Sequence, residues 1–493
     1  MAETPPAVGG GPAHEIGTRA ASNTAWRASG ELLGKLATLA VYAVLAREGG
    51  ETEVGVLVLA LAICQIATMP VDVGIDRVFV REVVAGPAEY PRRFAEVLGV
   101  KLVLAVPAIV VTLAVSLAYP DTVRNSIAIL LFAFLLESLM RTLHSVFVAF
   151  ERSDLIARCI VLQRALAAVL GVGAIVAGYG VVGVAGGYAL GVVAGLAWSA
   201  VLLREHVGAP HWRPSIHGWR RRARLSLPFA TQDIFTVLLF KLDAVVLSIL
   251  ATEAIVGRYG SAYRLLESTF FITVALAAAF SPMFTYLDRD SDPPVNTAFA
   301  SAVKLALVLL APVAVVFACL PEPICRLFFG PGFEGSAAPL RILAPVVVIL
   351  GVVGLASSMV VSRNRPSGIV RASGAMVVLN LVLNLVLIPP WGASGAATAM
   401  LVTETVFVFI LLRFAAAAIE APVPWARTLL APSLATIAMA AVVIALSATW
   451  GAALAAGLLA YGLVLVAAER IAAPADLAFA LSLARQRRLR VSP

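Results

Sequence analysis

The sequence predicts an all-α polytopic membrane protein of about fourteen transmembrane helices, with two six-helix bundles in a pseudo-twofold parallel repeat and a further helix pair at the C-terminal end. Three observations predict it: an apolar composition, long unbroken apolar runs, and a residue pattern that recurs in the second half. Of 493 residues, 60% are hydrophobic and 13% charged, whereas soluble domains carry about 25% charged residues. The mean hydropathy is +0.94. A soluble fold of this size would lack the polar groups to cover its surface. In a bilayer the backbone must satisfy its own hydrogen bonds, which leaves helices or closed barrels. Barrel strands would show as short alternating segments. The unbroken runs here have the length of spanning helices.

Fourteen such segments run at about 23–46, 54–76, 94–119, 124–149, 155–178, 181–203, 225–250, 255–286, 297–320, 337–361, 367–389, 393–416, 427–448 and 451–470. Turn signals separate them at Gly49-Gly50, Tyr119-Pro120-Asp121, Gly178-Tyr179-Gly180, Pro293-Pro294, Gly330-Pro331-Gly332 and Pro389-Pro390. The sixth carries Gly183, Gly187, Gly191 and Gly195, one face on which a neighbouring helix can approach closely. The resulting organisation is a flexible cytoplasmic tail (1–22), a six-helix bundle (23–203), a basic cytoplasmic linker (204–224), a second six-helix bundle (225–416), an additional helix pair (427–470) and a basic cytoplasmic tail (471–493).

Arginine in the loops orients the chain. Loops after even-numbered segments hold Arg77, Arg81, Arg92, Arg93, Arg152, the Arg204–Arg224 stretch, Arg289, Arg363, Arg365 and Arg413. The opposite loops hold little beyond Arg47, Arg124, Arg258 and Arg326. Both termini are therefore expected in the cytoplasm, with the chain in the cytoplasmic membrane. The net charge of +8 is this topology signal, and no nucleic-acid motif accompanies it. His206, His211 and His217 in the linker have irregular spacing and no thiol or acidic partners, so no metal is expected. Trp212, Trp219 and Arg220-Arg221-Arg222 suit contact with anionic lipid headgroups. Cys64, Cys159, Cys319 and Cys325 read as small buried hydrophobes.

A shift of 202 positions lays Glu31 on Asp233, Val54-Gly55 on Val256-Gly257, Ala60 on Ala262 and Gln65 on Glu267. A shift of 212 lays Gly180, Gly183 and Ala185 on Gly392, Gly395 and Ala397. Both halves begin on the cytoplasmic side, so the repeats are parallel, with a cleft expected between them. Parallel repeats are a known transporter plan.

Charges inside spanning helices are costly and face a cavity or a partner. Arg27, Glu31 and Lys35 share one face of the first segment, and Glu137 and Arg141 one face of the fourth. The seventh carries Asp233, Lys241 and Asp243, and the eighth Arg264 and Glu267. Arg27, Arg158 and Lys101 have the reach to snorkel to the interface. Asn380 and Asn384 suit interhelical hydrogen bonding, and Glu404 stands alone in the twelfth segment. Arg27, Glu31, Lys35, Arg141, Lys241, Asp243, Arg264 and Glu267 are the candidate lining of a central binding cavity. Cations there would receive a phosphate or diphosphate. The carboxylates would pair with them in the empty state or bind a coupling proton or cation.

The ordered motifs Leu45-Ala46-Arg47, Val54-Gly55, Asp72-Val73-Gly74, Arg81-Glu82, Lys241-Leu242-Asp243, Val256-Gly257-Arg258-Tyr259 and Tyr263-Arg264-Leu265-Leu266-Glu267 form a recognisable series. Phe280-Ser281-Pro282, Phe328-Phe329-Gly330, Asn380 to Asn384, Ile388-Pro389, Gly395-Ala396-Ala397 and Glu404 continue it. This series resembles the oligosaccharide flippases of the multidrug/oligosaccharidyl-lipid/polysaccharide (MOP) exporter superfamily over nearly the whole chain. The resemblance implies two bundles in a V and movement of a polyprenyl-diphosphate-linked sugar from the inner to the outer leaflet for surface polysaccharide synthesis. It implies alternating access through a cationic cavity, with no cofactor and a proton or sodium gradient as a candidate energy source. Membrane lipids are expected partners, and polysaccharide polymerase and glycosyltransferases are candidate protein partners. Lipid II is the alternative cargo within this group.

A drug exporter of the same superfamily is the nearest rival; helices 13 and 14 and the dense cations argue against it. A membrane-bound glycosyltransferase, ligase or polymerase would need catalytic acids or a metal in a sizeable pocket or loop, and the external loops are short. Gly30 to Lys35 has the wrong spacing for a phosphate-binding loop. No enzymatic activity and no catalytic residue are expected.

Overall fold

The structure, a computed structural model, describes residues 13–72, 74–215, 219–287, 291, 294–363, 366–419, 421–447 and 449–472. Side chains are described from Leu33 onward, apart from 223, 228, 229, 366, 367 and 472. The first expected tail therefore lies mostly, and the last almost wholly, outside the described residues, as do His217, Arg289 and Arg365. The helices are α1 (Ala13–Asp72), α2 (Ile75–Ala85), α3 (Tyr90–Ser116), α4 (Asp121–Ala149), α5 (Ser153–Val176), α6 (Gly180–His206), α7 (Trp219–Leu250) and α8 (Glu253–Ser268). Then come α9 (Phe270–Tyr286), α10 (Val295–Cys319), α11 (Pro321–Phe329), α12 (Ala337–Ser362), α13 (Pro366–Ile419), α14 (Trp425–Ala445) and α15 (Trp450–Ala472).

Eleven stretches of the described residues are long and apolar enough to cross a membrane. Two of them, Leu33–Ala85 and Gly368–Ile419, exceed fifty residues. Each is broken by one glycine outside helical geometry, Gly50 in α1 and Gly392 in α13, so each supplies two crossings. Counted with α7, which carries Asp233, Lys241 and Asp243 and is not among the eleven, the described residues supply fourteen such segments, the number that the sequence predicts. The predicted eighth segment is two helices. At the break, Ser268 Oγ donates to the Leu265 carbonyl and Thr269 Oγ1 to that of Leu266, which competes with the backbone ladder. The short helices α2 and α11 fall in stretches that hydropathy leaves as loops.

The spanning helices turn a polar face inward and an apolar face outward. On α3, Lys101 is buried while Leu102, Val103, Val106, Val110 and Val111 are exposed. On α13, Asn380 and Asn384 are buried while Val378, Val382, Leu385 and Val386 are exposed. In water such a surface would aggregate; in a bilayer it is the lipid face. The glycine face of α6 is used as expected. A Cβ on Gly187 would lie 2.6 Å from Gly171 N, and one on Gly191 would lie 2.6 Å from Gln163 O, so α5 packs on bare backbone.

By compactness the chain forms two units. One takes the residues up to Ser261 with Phe329–Gly332 and Ser373–Ala396, and the other takes Ala262–Phe328, Phe333–Ala372 and the rest from Ala397. In the first, the repeat appears in local geometry: Gly180 and Gly392, matched by the 212 shift, both have φ 51°. Also in the first, the linker folds back on α3. Ser215 N donates to Ala95 O at 2.9 Å, and Trp212 packs edge-on against Phe94. Arg222 is buried between Glu82 and Glu96, each at 2.6 Å. Arg220 and Arg221 stay exposed beside Trp219, so one arginine of the run turns inward and its neighbours remain at the surface. In the second unit, α15 is tied to α10 by Lys304–Glu469 at 2.7 Å and by the Tyr461 hydroxyl donating to the Val308 carbonyl.

Candidate functional site

Two charged clusters stand out, both in the first unit. The larger begins where α1 ends. Gly74 has φ 62°, a left-handed conformation that glycine adopts without strain. It turns the chain so that Asp72 and Asp76 both reach Lys101 of α3. Lys101 Nζ lies 3.0 Å from Asp72 Oδ1 and 2.9 Å from Asp76 Oδ2, and donates to the Ser138 carbonyl at 3.0 Å. Ser138 Oγ donates to Asp72, Thr142 Oγ1 donates to Asp76, and Arg141 pairs with Asp72. The network passes through Glu137, which lies 3.7 Å from Arg141 and 3.5 Å from Arg164. The Tyr188 hydroxyl donates to Glu137, and the Arg164 guanidinium lies over the Tyr188 ring. Gly34 of α1 packs on the Arg164 stem, 3.2 Å from its Cγ to an ideal Cβ, and Lys35, the next residue, is half-buried.

Three cations and three carboxylates make this cluster neutral as a set. The cations are unequal. The Lys101 side chain is 5% exposed, with its three donors engaged, whereas Arg141 is 39% and Arg164 29% exposed. A guanidinium has five donors in a planar fork, so both arginines can serve a second anion at their open edges. Their contacts with Glu137, at 3.5 and 3.7 Å, are the longest ion pairs of the cluster and the easiest to exchange.

The smaller cluster is closed. Asp243 of α7 is fully buried. Its carboxylate accepts from the Tyr259 hydroxyl at 2.7 Å and from Asn384 Nδ2 at 2.6 Å, and Asn384 also donates to Asn380 Oδ1 at 2.9 Å. Among the described residues no ion pair reaches Asp243, and Asn384 Oδ1 is buried with no hydrogen-bond donor. A carboxylate in that position faces neutral dipoles alone.

Of the residues that the sequence nominates, Arg141 and Asp243 enter these two clusters. Arg264 and Glu267 pair along α8 at 2.8 Å, in the second unit. Lys241 is half-buried on α7. The side chains of Arg27 and Glu31 lie outside the described residues. Sequence reasoning missed Asp76 and Tyr188, held Asp72 only as part of a motif, and gave Lys101 a reach to the interface without deciding between that and an inward partner. Lys101 turns inward because two carboxylates and a carbonyl meet it there. The one signal for it is a lone lysine in the apolar stretch of α3 that follows Glu96, a few tens of residues after two aspartates that flank a glycine.

Residues 20–287, more than half of the chain, match the family described as polysaccharide biosynthesis protein. Over 159 residues the chain is 26% identical to the probable low-salt glycan biosynthesis flippase Agl15 of Haloferax volcanii, covering 32% of this chain and 34% of that protein. The chain thus spans about a third of the length of that curated relative. Among solved structures it is similar to the lipid II flippase MurJ in an inward closed conformation, with TM-score 0.69 and 13% identity over 90% of this chain and 98% of that one. It is also similar to an inward-facing multidrug resistance MATE family transporter of the MOP superfamily, with TM-score 0.64 and 17% identity over 78% of this chain and 94% of that one. At these identities the likeness shows the fold alone.

Proposed function

Because this chain belongs to the polysaccharide biosynthesis protein family, we propose that it moves a polyprenyl-diphosphate-linked oligosaccharide from the inner to the outer leaflet of the cytoplasmic membrane by alternating access. The observation that carries this reading is the half-open pair Arg141 and Arg164, held in the membrane by carboxylates they can exchange. A diphosphate supplies planar sets of acceptor oxygens that match guanidinium forks. On its arrival the Glu137 contacts give way and the Asp72 contact stays, so the cations are pre-placed and the empty site is not left with bare charge. The loop arginines favour cytoplasmic termini, and enzymes that build or polymerise the glycan are the protein partners of such a step.

Coupling is assigned to Asp243. A carboxylate among neutral dipoles in a bilayer is stabilised by a proton or a small cation. Asn380, Asn384 and Tyr259 offer oxygen atoms around it. Taking up that ion links an electrochemical gradient to the conformational change.

Binding tests the cargo. The lipid-linked oligosaccharide is expected to raise the melting temperature of the detergent-purified protein. The Arg141→Gln/Arg164→Gln variant is expected to bind it about tenfold or more weakly, since hydrogen bonds to charged groups contribute about 1.5–3 kcal/mol each. Equal stabilisation by the polyprenyl alcohol, or stabilisation by a cationic dye in its place, would reject a diphosphate site.

A further inference from the structure

The second half of α1 and the start of α8 meet through their backbones. A Cβ built on Gly55 would lie 1.8 Å from the Glu253 carbonyl oxygen and 3.0 Å from Gly257 N. A Cβ built on Gly257 would lie 1.9 Å from the Glu51 carbonyl oxygen and 3.1 Å from Gly55 N. The two contacts exchange under the 202 shift, which turns 51 into 253 and 55 into 257. The repeat axis therefore passes through this crossing, and the contact has the self-complementary form of a twofold interface. One turn further, Val58 reaches its own counterpart, with its Cγ2 2.4 Å from an ideal Cβ on Gly260. One break in the symmetry adds an ion pair. Arg258 stands where the first half has Val56, and its Nε donates to Glu51 Oε2 at 2.7 Å.

Resting on the flippase reading and the orientation proposed above, we infer that this crossing is the outer gate, latched by the Glu51–Arg258 ion pair. Both helices start here from loops that the arginine pattern puts outside. The contact is close but small. It joins glycine backbones and the Val58 side chain seated on Gly260, and its ion pair sets an arginine that is 44% exposed against a glutamate that is 14% exposed. A pair open to water on one side holds less firmly than a fully buried one. A latch of that strength keeps the outer side shut in the resting state and yields to the differential binding of cargo or coupling ion, which is all that a two-state switch requires.

The test uses the full chain in liposomes, with Glu51→Cys and Arg258→Cys in a background lacking the four native cysteines. Bridging the pair with a short reducible cross-linker is expected to cut lipid translocation by roughly tenfold or more, because only states outside the closed one release lipid outwards. Reductant should restore it. Translocation at the unbridged rate would overturn the gate. Spin labels on the same two positions give a readout that needs no transport. Two distance populations are expected, the longer one growing with lipid-linked substrate and in a Gly55→Ala variant, whose methyl cannot fit the closed crossing. A single short distance under all conditions also overturns the gate. Two populations in a protein that moves no lipid would keep the gate and remove the flippase reading.

Discussion

Replacing Lys101 by methionine is expected to lower stability by about 3–5 kcal/mol, the usual cost of removing one partner from a buried ion cluster. Methionine has a similar length and fits an apolar helix, so packing is largely kept and the loss is electrostatic. Lys101 is the point at which Asp72, Asp76 and the Ser138 carbonyl converge. Without it, Asp76 keeps the Thr142 hydroxyl and Asp72 keeps Arg141 and Ser138. Two carboxylates then face each other across a partly dry site. The thermal unfolding midpoint in detergent measures this directly. Adding Asp76→Asn to Lys101→Met should recover part of the loss, because it removes the charge left bare. A Lys101→Met protein as stable as wild type would mean that the lysine reaches water and the cluster is not a unit. Transport should fall with it, since Arg141 would be drawn wholly onto Asp72.

Asp243→Asn is expected to separate coupling from folding. The amide keeps an acceptor for Tyr259 and the size of the side chain, but it cannot change charge with a proton or cation. Stimulation of translocation by an imposed proton or sodium gradient should drop by about tenfold, within the range of known coupling energies. Downhill movement without a gradient should continue. The comparison is the ratio of initial rates with and without the gradient in the same liposome batch. An unchanged ratio would remove Asp243 from the coupling role and leave the cluster as helix-to-helix packing alone.

The fourteen segments were legible because each is a local run, and hydropathy over about twenty residues needs no tertiary information. The Arg264–Glu267 contact was legible for the same reason, being three residues apart on one helix. The glycine face of α6 also came from spacing alone. The clusters did not. Lys101 meets carboxylates 29 and 25 positions earlier, Asp243 meets Asn384 across 141, and Lys304 meets Glu469 across 165. Nothing in a single segment tells a paired lysine from one that snorkels, because both look like one cation in an apolar run. The short helix α2 was hidden by its charges: its apolar residues Ile75, Val78, Phe79 and Val83 form one narrow face, too few for a spanning signal. The repeat was read from short matches at two shifts, and its meaning appears only where Gly55 and Gly257 touch.

The most direct measurement is leaflet translocation. Purified protein is placed in liposomes with a fluorescent polyprenyl-diphosphate oligosaccharide, and its exposure to an external quencher is followed over time. Protein-dependent transfer between leaflets is expected, strongly reduced in Arg141→Gln/Arg164→Gln, with less or no transfer of a lipid that has the same sugar but lacks the diphosphate. No transfer with any of several sugar headgroups, alongside export of a cationic dye by the same protein, would contradict it.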